Sequence, residues 1–159
     1  YLNSYQQSLP DDTLISFCEN KAVNAVMLYF AQAAKDADID YDVKAIVPEK
    51  IAIDETDLSV LFGNLIENAT DACREETGDN RKIVIRAMTD EYTLCLGIDN
   101  TFSGTLKKDL SGVLFSSKHI GYGVGIESVK SIAEKYGGSY RSEVKDGMFM
   151  SSVLLNLKT

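Results

Sequence analysis

The 159-residue sequence has no tryptophan, two prolines, one histidine and three scattered cysteines. Cys18, Cys73 and Cys95 are odd in number and form no CxxC pair, which argues against a disulfide framework and a cysteine zinc site. We therefore interpret them as small core residues in a reducing compartment. Because 45% of the residues are hydrophobic and prolines are few, the composition also argues against a disordered or collagen-like chain.

Long hydrophobic runs are absent as well. The most apolar stretch, residues 22–34, is far shorter than the roughly 20 residues that a membrane-spanning helix needs. No secretory signal opens the chain, so we expect a soluble, cytoplasmic piece of a longer protein. Sixteen basic residues against 24 acidic ones give a formal charge of −8, which disfavours binding to nucleic acid or to an anionic membrane. Any polyanionic ligand must therefore be held locally, by a metal ion or a helix N-terminus.

The spacing of apolar residues predicts three helices and about five strands. Helices are predicted at residues 19–37, with Asn20 as the N-cap, at 55–76 and at 124–136, with Gly137-Gly138 as the stop. Strands are predicted at residues 39–47, 82–88, 92–99, 139–145 and 148–158, the last two joined by an Asp146-Gly147 turn. Residues 101–122 lack clear periodicity and are predicted to form a long loop.

This order of elements predicts an α+β fold. We expect a two-layer sandwich with the three main helices on one face of a mixed, mostly antiparallel five-stranded sheet. Residues 1–12 are interpreted as a connector or the tail of a lost helix, because they end in a Pro-Asp-Asp breaker run. Residues 13–159 are then one domain, as the chain length favours.

The second predicted helix carries a polar stripe beside its apolar face. Asn64, Asn68 and Asp71 recur at i, i+4 and i+7 and point along one ridge. Two asparagines one turn apart are unusual, because asparagine is a poor helix former. The stripe is either a solvated helix face or a ligand site, since amide oxygens suit a hard cation such as Mg²⁺ that is shared with phosphate oxygens.

A glycine-rich segment precedes the third predicted helix. Gly121, Gly123 and Gly125 are followed by Ile126, which stands where a Rossmann fingerprint needs its third glycine, and no P-loop motif occurs in the chain. A glycine turn that leads into a helix N-terminus can cradle phosphate, because free N–H groups and the positive end of the helix dipole meet there. The alternative interpretation is a hinge for a mobile loop.

Asp99 and Asn100 stand at the end of the second predicted hairpin strand. Ile98 continues the apolar face of that strand, so Asp99 projects to the opposite side. A carboxylate at this place can accept a hydrogen bond from an exocyclic amine of a ligand. The alternative is an ordinary Asp-Asn turn pair.

In this order, the three segments resemble the ATP-binding domain of the gyrase, Hsp90, histidine kinase and MutL superfamily. Residues 61–72 are similar to its N box, residues 98–104 to its first glycine box and residues 121–130 to its second. Residues 114–118 and 135–138 most resemble sensor histidine kinases of Gram-positive bacteria, in the branch of the peptide-pheromone receptors. The resemblance implies a Bergerat-type ATP-binding fold.

For the N box, the resemblance implies a magnesium and phosphate site. Asn68 matches the asparagine that coordinates Mg²⁺, Asn64 matches a polar position that faces the phosphates, and Asp71 is a further candidate for binding the cofactor. Gyrase-like and chaperone ATPases have a glutamate at the position of Asn64, where it is the hydrolytic base. An amide cannot deprotonate water, so transfer of the phosphoryl group to a protein acceptor is favoured over hydrolysis.

For the first glycine box, the resemblance implies adenine recognition. Asp99 matches the aspartate that recognises the adenine amino group. Thr101 and Ser103 replace the two usual glycines of this box, and related pheromone receptors often have asparagine at its centre. Asn100 is therefore expected to share or to replace the role of Asp99.

For the second glycine box, the resemblance implies a mobile lid and a phosphate turn. Gly121, Gly123 and Gly125 match the hinge and the turn, and Ile126 stands where the family usually has leucine. The lid would span residues 101–120 and close over the nucleotide. Lys118, within it, is a candidate contact of the γ-phosphate.

The implied function is that of the catalytic domain of a two-component sensor histidine kinase, which binds ATP and Mg²⁺. The one histidine, His119, lies in the predicted lid, so the phosphoacceptor is expected on an upstream dimerisation domain absent from this chain. Residues 1–12 would be the remnant of its last helix. A response regulator is the further partner implied, the location is the cytoplasmic part of a membrane-anchored kinase, and we expect the isolated chain to be monomeric. The alternatives are a Ser/Thr kinase of the anti-sigma-factor type and a nucleotide-binding pseudokinase or interaction module.

Overall fold

The described part of the chain is built from three helices and seven strands. A computed structural model describes residues 15–104, 106–108, 114–116 and 122–158. Its helices are α1 (Lys21–Asp36), α2 (Glu55–Glu75) and α3 (Tyr122–Lys135). Its strands are β1 (Asp40–Ile46), β2 (Lys82–Thr89), β3 (Thr93–Thr101), β4 (Leu106–Lys108), β5 (Leu114–Ser116), β6 (Ser139–Lys145) and β7 (Met148–Asn156).

Five strands form one mixed sheet in the order β1-β2-β3-β7-β6. Strands β1 and β2 pair in parallel because α2 connects them as a crossover, and the other three pairs are antiparallel. The three helices pack on one face of this sheet, where the apolar side chains of both layers form the core. The predicted fold class is confirmed.

The core lies between α2 and the central strands. Its largest fully buried side chains come from both layers: Met27, Leu58, Leu61, Phe62, Ile66, Ile83, Ile85, Leu94, Ile98 and Leu155. Within the described residues, no helix is both long and apolar enough to cross a membrane.

Short-range signals fix the helix starts and one hairpin. The Asn20 side chain accepts from the Val23 N–H at 3.1 Å, which makes Asn20 the N-cap of α1 as predicted. Asp54 caps α2 in the same way, since its carboxylate accepts from the Thr56 N–H at 2.8 Å. At the β6–β7 turn, Asp146 and Gly147 both have positive φ, 52° and 75°, which is the backbone of a tight hairpin turn.

The predicted long loop needs correction. Residues 101–122 contain the end of β3, the paired strands β4 and β5, and the start of α3 at Tyr122 rather than residue 124. Strands of three residues are too short to show a period of two in the sequence. Glycine is tolerated in the first turn of a helix, because the N–H groups there make no intrahelical hydrogen bonds that a helix-disfavouring residue could weaken. The predicted connector, residues 1–12, lies outside the described residues.

Asp57 ties the start of α2 to the end of α3. Its Oδ2 accepts from Lys135 Nζ at 2.8 Å and from Tyr136 Oη at 2.6 Å. The hydrogen bond from Lys135 and then that from Tyr136 hold the pKa of Asp57 below its ordinary value. The tie therefore needs the ionised carboxylate.

We expect Asp57→Asn to lower the free energy of unfolding by about 1 kcal/mol at neutral pH, the usual cost of losing such a hydrogen bond. Because the folded-state pKa is the lower one, this stabilisation is present above about pH 4 and is lost as the pH falls through the folded-state pKa. Urea denaturation at neutral pH and at about pH 3 measures the difference. Asp79→Asn removes an exposed carboxylate as the control. A difference that does not shrink in acid would contradict the assignment.

Candidate functional site

The polar ridge of α2 lies against the first turn of α3. Asn64 Nδ2 donates to the carbonyl oxygen of Gly125 at 3.2 Å, although the two residues are 61 positions apart. A Cβ atom added to Gly125 would lie 3.9 Å from Asn64 Cβ and Cγ and 3.9 Å from Asn68 Nδ2. The structure thus brings Asn64, Asn68 and Gly125 together, from two segments that the sequence analysis singled out separately.

Asn68 is half-buried, but its Nδ2 atom is fully buried and has no hydrogen-bond partner among the described residues. An unpaired buried donor costs stability, so its presence in a native site calls for a reason. A carboxamide offers an oxygen that suits Mg²⁺ and an N–H group that suits a phosphate oxygen. The donor chemistry of Asn68 therefore fits a magnesium-bound phosphate.

No cluster of three or more His, Cys, Asp or Glu side chains that could hold a metal occurs within residues 15–158 as described.

The N-terminus of α3 supplies the backbone side of this site. Gly123 and Gly125 lie in the first turn of α3; the sequence predicts a helix start at residue 124, which places Gly125 inside the helix and Gly123 in the turn before it. N–H groups of a first turn have no intrahelical acceptor and favour anions. Gly121 and Lys118 fall outside the described residues, as does half of the predicted lid.

The side chain of Ile126 belongs to the hydrophobic core. Its side chain is 3% exposed and packs in the hydrophobic core together with Val129, Ile132 and Ala133 of the same helix. These residues follow one another at helical spacing, so the same face of α3 is turned to the sheet. The side chain of Ile126 therefore lies in the core, and the prediction that Ile126 contacts the cofactor stays a prediction, which its backbone would have to fulfil.

Strand β3 separates the two candidates for adenine recognition. Burial alternates along the strand, and Asn100, which is 3% exposed, lies on the helix side with Leu96 and Ile98. Asp99 lies on the other face, beside Arg86 and Arg141. The structure therefore does not bring Asp99 together with Asn64 and Asn68, because neighbouring strand residues point to opposite faces.

The surroundings of the two residues differ in kind. Burial raises the pKa of Asp99, the nearby Arg86 lowers this pKa, and Glu143 raises it. Asn100 Nδ2 donates to the Thr101 carbonyl oxygen at 3.1 Å, which fixes the orientation of the amide. Asn100 is thus a polar side chain with a fixed orientation, and it lies on the same side of the sheet as the polar ridge of α2.

Asp71 lies on the solvent side of the ridge. It lines a groove of about 580 Å³ between α1 and α2, which Asn64 also lines. Its Oδ1 is 3.5 Å from Arg74 Nη1. Of the residues predicted on the stripe, Asn64 therefore touches both the groove and the first turn of α3.

A contact at the start of the predicted lid was missed from the sequence. Glu76, just after α2, accepts from the Ser103 N–H at 2.9 Å and from Ser103 Oγ at 2.6 Å. The adjacent Phe102 N–H donates to the Gly147 carbonyl oxygen at 2.8 Å. One signal was available: two glutamates end α2, where the negative end of the helix dipole disfavours them unless they have donors.

Comparison with protein families decides the relationship. Residues 53–156, more than half of the chain, match the family model described as the GHKL domain. The chain belongs to the GHKL domain family. The matched range contains Asn64, Asn68 and Gly125, so the contact between the α2 ridge and α3 lies inside this GHKL domain.

Solved structures share the fold of this GHKL domain. The catalytic domain of histidine kinase ThkA is 21% identical with a TM-score of 0.69, covering 88% of this chain and 95% of that one. The mycobacterial sensor histidine kinase MprB is 16% identical with a TM-score of 0.63, covering 86% and 93%. The histidine kinase AdeS of Acinetobacter baumannii is 16% identical with a TM-score of 0.65, covering 99% and 74%. ThkA has also been solved in complex with the response regulator TrrA. Comparison with curated proteins finds no significant match.

Proposed function

We propose that this GHKL domain is the ATP-binding catalytic domain of a two-component sensor histidine kinase. It would transfer the γ-phosphoryl group of ATP to a histidine on another domain. The observation that carries the proposal is the hydrogen bond from Asn64 to Gly125, with the Asn68 amide beside it, because this places two amides and a helix N-terminus close together. The family match and the histidine kinase folds support it.

Mg²⁺ and the triphosphate would be held by groups that lie together in this site. The oxygen of the Asn68 amide is the proposed metal ligand, and a bound Mg²⁺ supplies neutralisation of phosphate charge. The Asn68 Nδ2, unpaired among the described residues, can donate to a phosphate oxygen. The first turn of α3 adds N–H groups, which an acidic chain needs because its overall charge of −8 repels phosphate.

The site favours phosphoryl transfer over hydrolysis. Asn64 donates to the Gly125 carbonyl oxygen and, as an amide, cannot take a proton from water. The chain therefore contributes positioning and charge neutralisation, which are the main requirements of phosphoryl transfer. The acceptor histidine has to be brought in by a partner domain.

We further propose that Asn100, and not Asp99, recognises the adenine amino group. Asn100 lies on the helix side of β3, and its Nδ2 is already bonded to Thr101, so its Oδ1 can be presented as an acceptor. Asp99 lies on the face that the helices leave uncovered. The role implied for Asp99 by the resemblance would thus pass to its neighbour.

Two substitutions separate these assignments. Asn100→Ala is expected to weaken ATP binding about tenfold, the effect of losing one hydrogen bond to the base. Asp99→Asn should leave the affinity within about twofold, since the residue lies on the other face. Equilibrium titration with ATP and with a base-modified analogue measures both. Loss of affinity in Asp99→Asn alone would return the role to Asp99.

The partners follow from the proposed reaction. A phosphoacceptor domain with a histidine and a response regulator are the proposed partners, by analogy with the solved kinases. We also propose that the domain is the cytoplasmic part of a membrane-anchored kinase. Its placement in the branch of the peptide-pheromone receptors stays a prediction.

Phosphate transfer in trans tests the proposed function. The chain is mixed with labelled ATP, Mg²⁺ and a separately made helical hairpin that carries the acceptor histidine. We expect acid-labile phosphate on the hairpin and none on a hairpin whose histidine is replaced by alanine. Acid-stable phosphate on a partner serine would instead indicate a Ser/Thr kinase. No ATP binding at about millimolar concentration would indicate a pseudokinase, since any binding would then be weaker than about 4 kcal/mol.

A further inference from the structure

The sheet face opposite the helices is open and carries side chains sorted by chemistry. Residues directly opposite each other on adjacent strands form rows across the sheet. We call one the basic row: Lys44, Arg86, Gly97, Ser152 and Arg141. A second row on the same face is displaced from the basic row by two residues along each strand. We call it the acidic row: Asp42, Val84, Asp99, Met150 and Glu143.

A third row on this face is apolar and exposed. It contains Ile46, Met88, Cys95 and Leu154. Its three large side chains are exposed: Ile46 by 58%, Met88 by 55% and Leu154 by 38% of their surface. Two depressions of about 790 Å³ and 500 Å³ lie over the rows and share Arg86, Gly97, Arg141 and Ser152 in their walls. The face thus carries two adjoining depressions, whose shared walls are formed by the basic row.

The charges of the basic and acidic rows are equal and opposite. Three cations face three carboxylates, so the two rows are neutral in a chain whose net charge is −8. Arg86 and Asp42 form an ion pair at 2.8 Å within the face. Lys44 and Arg141 form none with the described residues. These two cations therefore remain available to carboxylates from outside.

Side-chain size is complementary between the same two rows. At the centre of the basic row, Gly97 and Ser152 are small and leave a gap. At the centre of the acidic row, Asp99 and Met150 are larger and occupy the equivalent positions on the same two strands. A surface with this pattern fits a copy of itself turned end to end.

We propose that two copies of this chain associate through their open sheet faces across a two-fold axis. The axis runs across the strands, between the basic row and the acidic row. Lys44 and Arg141 of one copy then meet Asp42 and Glu143 of the second, and Asp99 and Met150 of each enter the gaps over Gly97 and Ser152 of the other. Such an interface is isologous, and its strands run in aligned directions as in packed sheets.

The association is a weak one by its size. Five strands about 4.8 Å apart and four residues of each strand on this face give a footprint of roughly 20 by 20 Å. This is about 400 Å² on each copy, or about 800 Å² in total, which is less than the roughly 1,200 Å² of stable interfaces, so we expect a transient association with a dissociation constant between about micromolar and millimolar. The inference does not depend on ATP binding, and it replaces the expectation that the isolated chain is monomeric.

Sedimentation equilibrium of the chain tests the proposal. In reducing buffer at physiological salt, where the Debye length of about 8 Å screens the repulsion of two acidic domains, the mass should rise from one copy towards two with increasing concentration. Arg141→Glu and Glu143→Arg should each weaken association about tenfold, because each places like charges opposite one another. The double variant Arg141→Glu/Glu143→Arg should restore it. Lys50→Glu makes the same charge change outside this face and should leave the mass curve unchanged.

A steric variant gives an independent readout. A Cβ on Gly97 has no nearer neighbour than the Arg86 carbonyl oxygen at 4.0 Å, so Gly97→Val is expected to fold normally and to fill the gap. It should keep the chain monomeric over the whole concentration range. The proposal is overturned by a wild-type mass that does not depend on concentration, by a double variant no more associated than the single ones, or by Gly97→Val that dimerises like the wild type.

Discussion

Replacing Asn68 by alanine is expected to abolish Mg²⁺-dependent ATP binding and, at the same time, to stabilise the domain. Loss of the proposed metal ligand and of a donor to phosphate should weaken binding about 100-fold. The free energy of unfolding should rise by about 1 kcal/mol, because alanine favours the helix and removes the buried Nδ2 that has no described partner. Titration with ATP in the presence and absence of Mg²⁺ and urea denaturation measure the two effects.

The expected changes in ATP affinity and in stability have opposite signs, which distinguishes a ligand-binding role of Asn68 from a structural one. A merely structural role would lower stability and affinity together. Glu67→Ala, on the exposed position next to Asn68, is the matched control and should leave the affinity unchanged. If Asn68→Ala retained Mg²⁺-dependent binding, the metal site on the α2 ridge would be wrong.

Gly125→Leu is expected to weaken ATP binding by about thirtyfold while the domain stays folded. A Cβ at this position lies at ordinary contact distance from Asn64 and Asn68, and the further carbons of leucine would extend over the two amides. The substitution thus places hydrocarbon where phosphate is proposed to lie. Circular dichroism and ATP titration of the same samples separate folding from binding.

Gly125→Ala is the matched control for this prediction. Its single methyl group fits at 3.9 Å from its nearest neighbours, and alanine is favoured over glycine in a helix by about 1 kcal/mol. We expect a more stable domain with an affinity close to that of the wild type. Equal loss of binding in both variants would indicate that α3 must bend at Gly125, rather than that the space beside it is needed.

Much of the fold could be predicted because its signals are local. Asn20 caps α1 and Asp146-Gly147 turns the last hairpin, and both act through their own backbone and immediate neighbours. The short pair β4 and β5 could not be predicted, since three residues cannot display a repeat of two. The start of α3 is predicted two residues late because glycine favours turns, although Gly123 lies in the first turn of α3.

The site could be predicted in part for a different reason. Helical spacing alone places Asn64 and Asn68 on one ridge. The hydrogen bond from Asn64 to Gly125, however, joins residues that are 61 positions apart, so it depends on how α2 and α3 pack. The alternation of β3 already turns Asp99 away from Ile98. The resemblance favoured Asp99 nevertheless, and only the packing of the helices on the Ile98 face shows which neighbour shares a side with Asn68.

Helix α2 is held at both of its ends by side-chain bonds. Asp57 binds the last residues of α3 at one end, and Glu76 binds Ser103 at the other. The amides of Asn64 and Asn68 lie between these two anchors, so a displacement of α2 along its axis would break the hydrogen bonds at one end or the other. This helix should therefore be ordered before a nucleotide binds, so we expect it to add little to the entropic cost of binding.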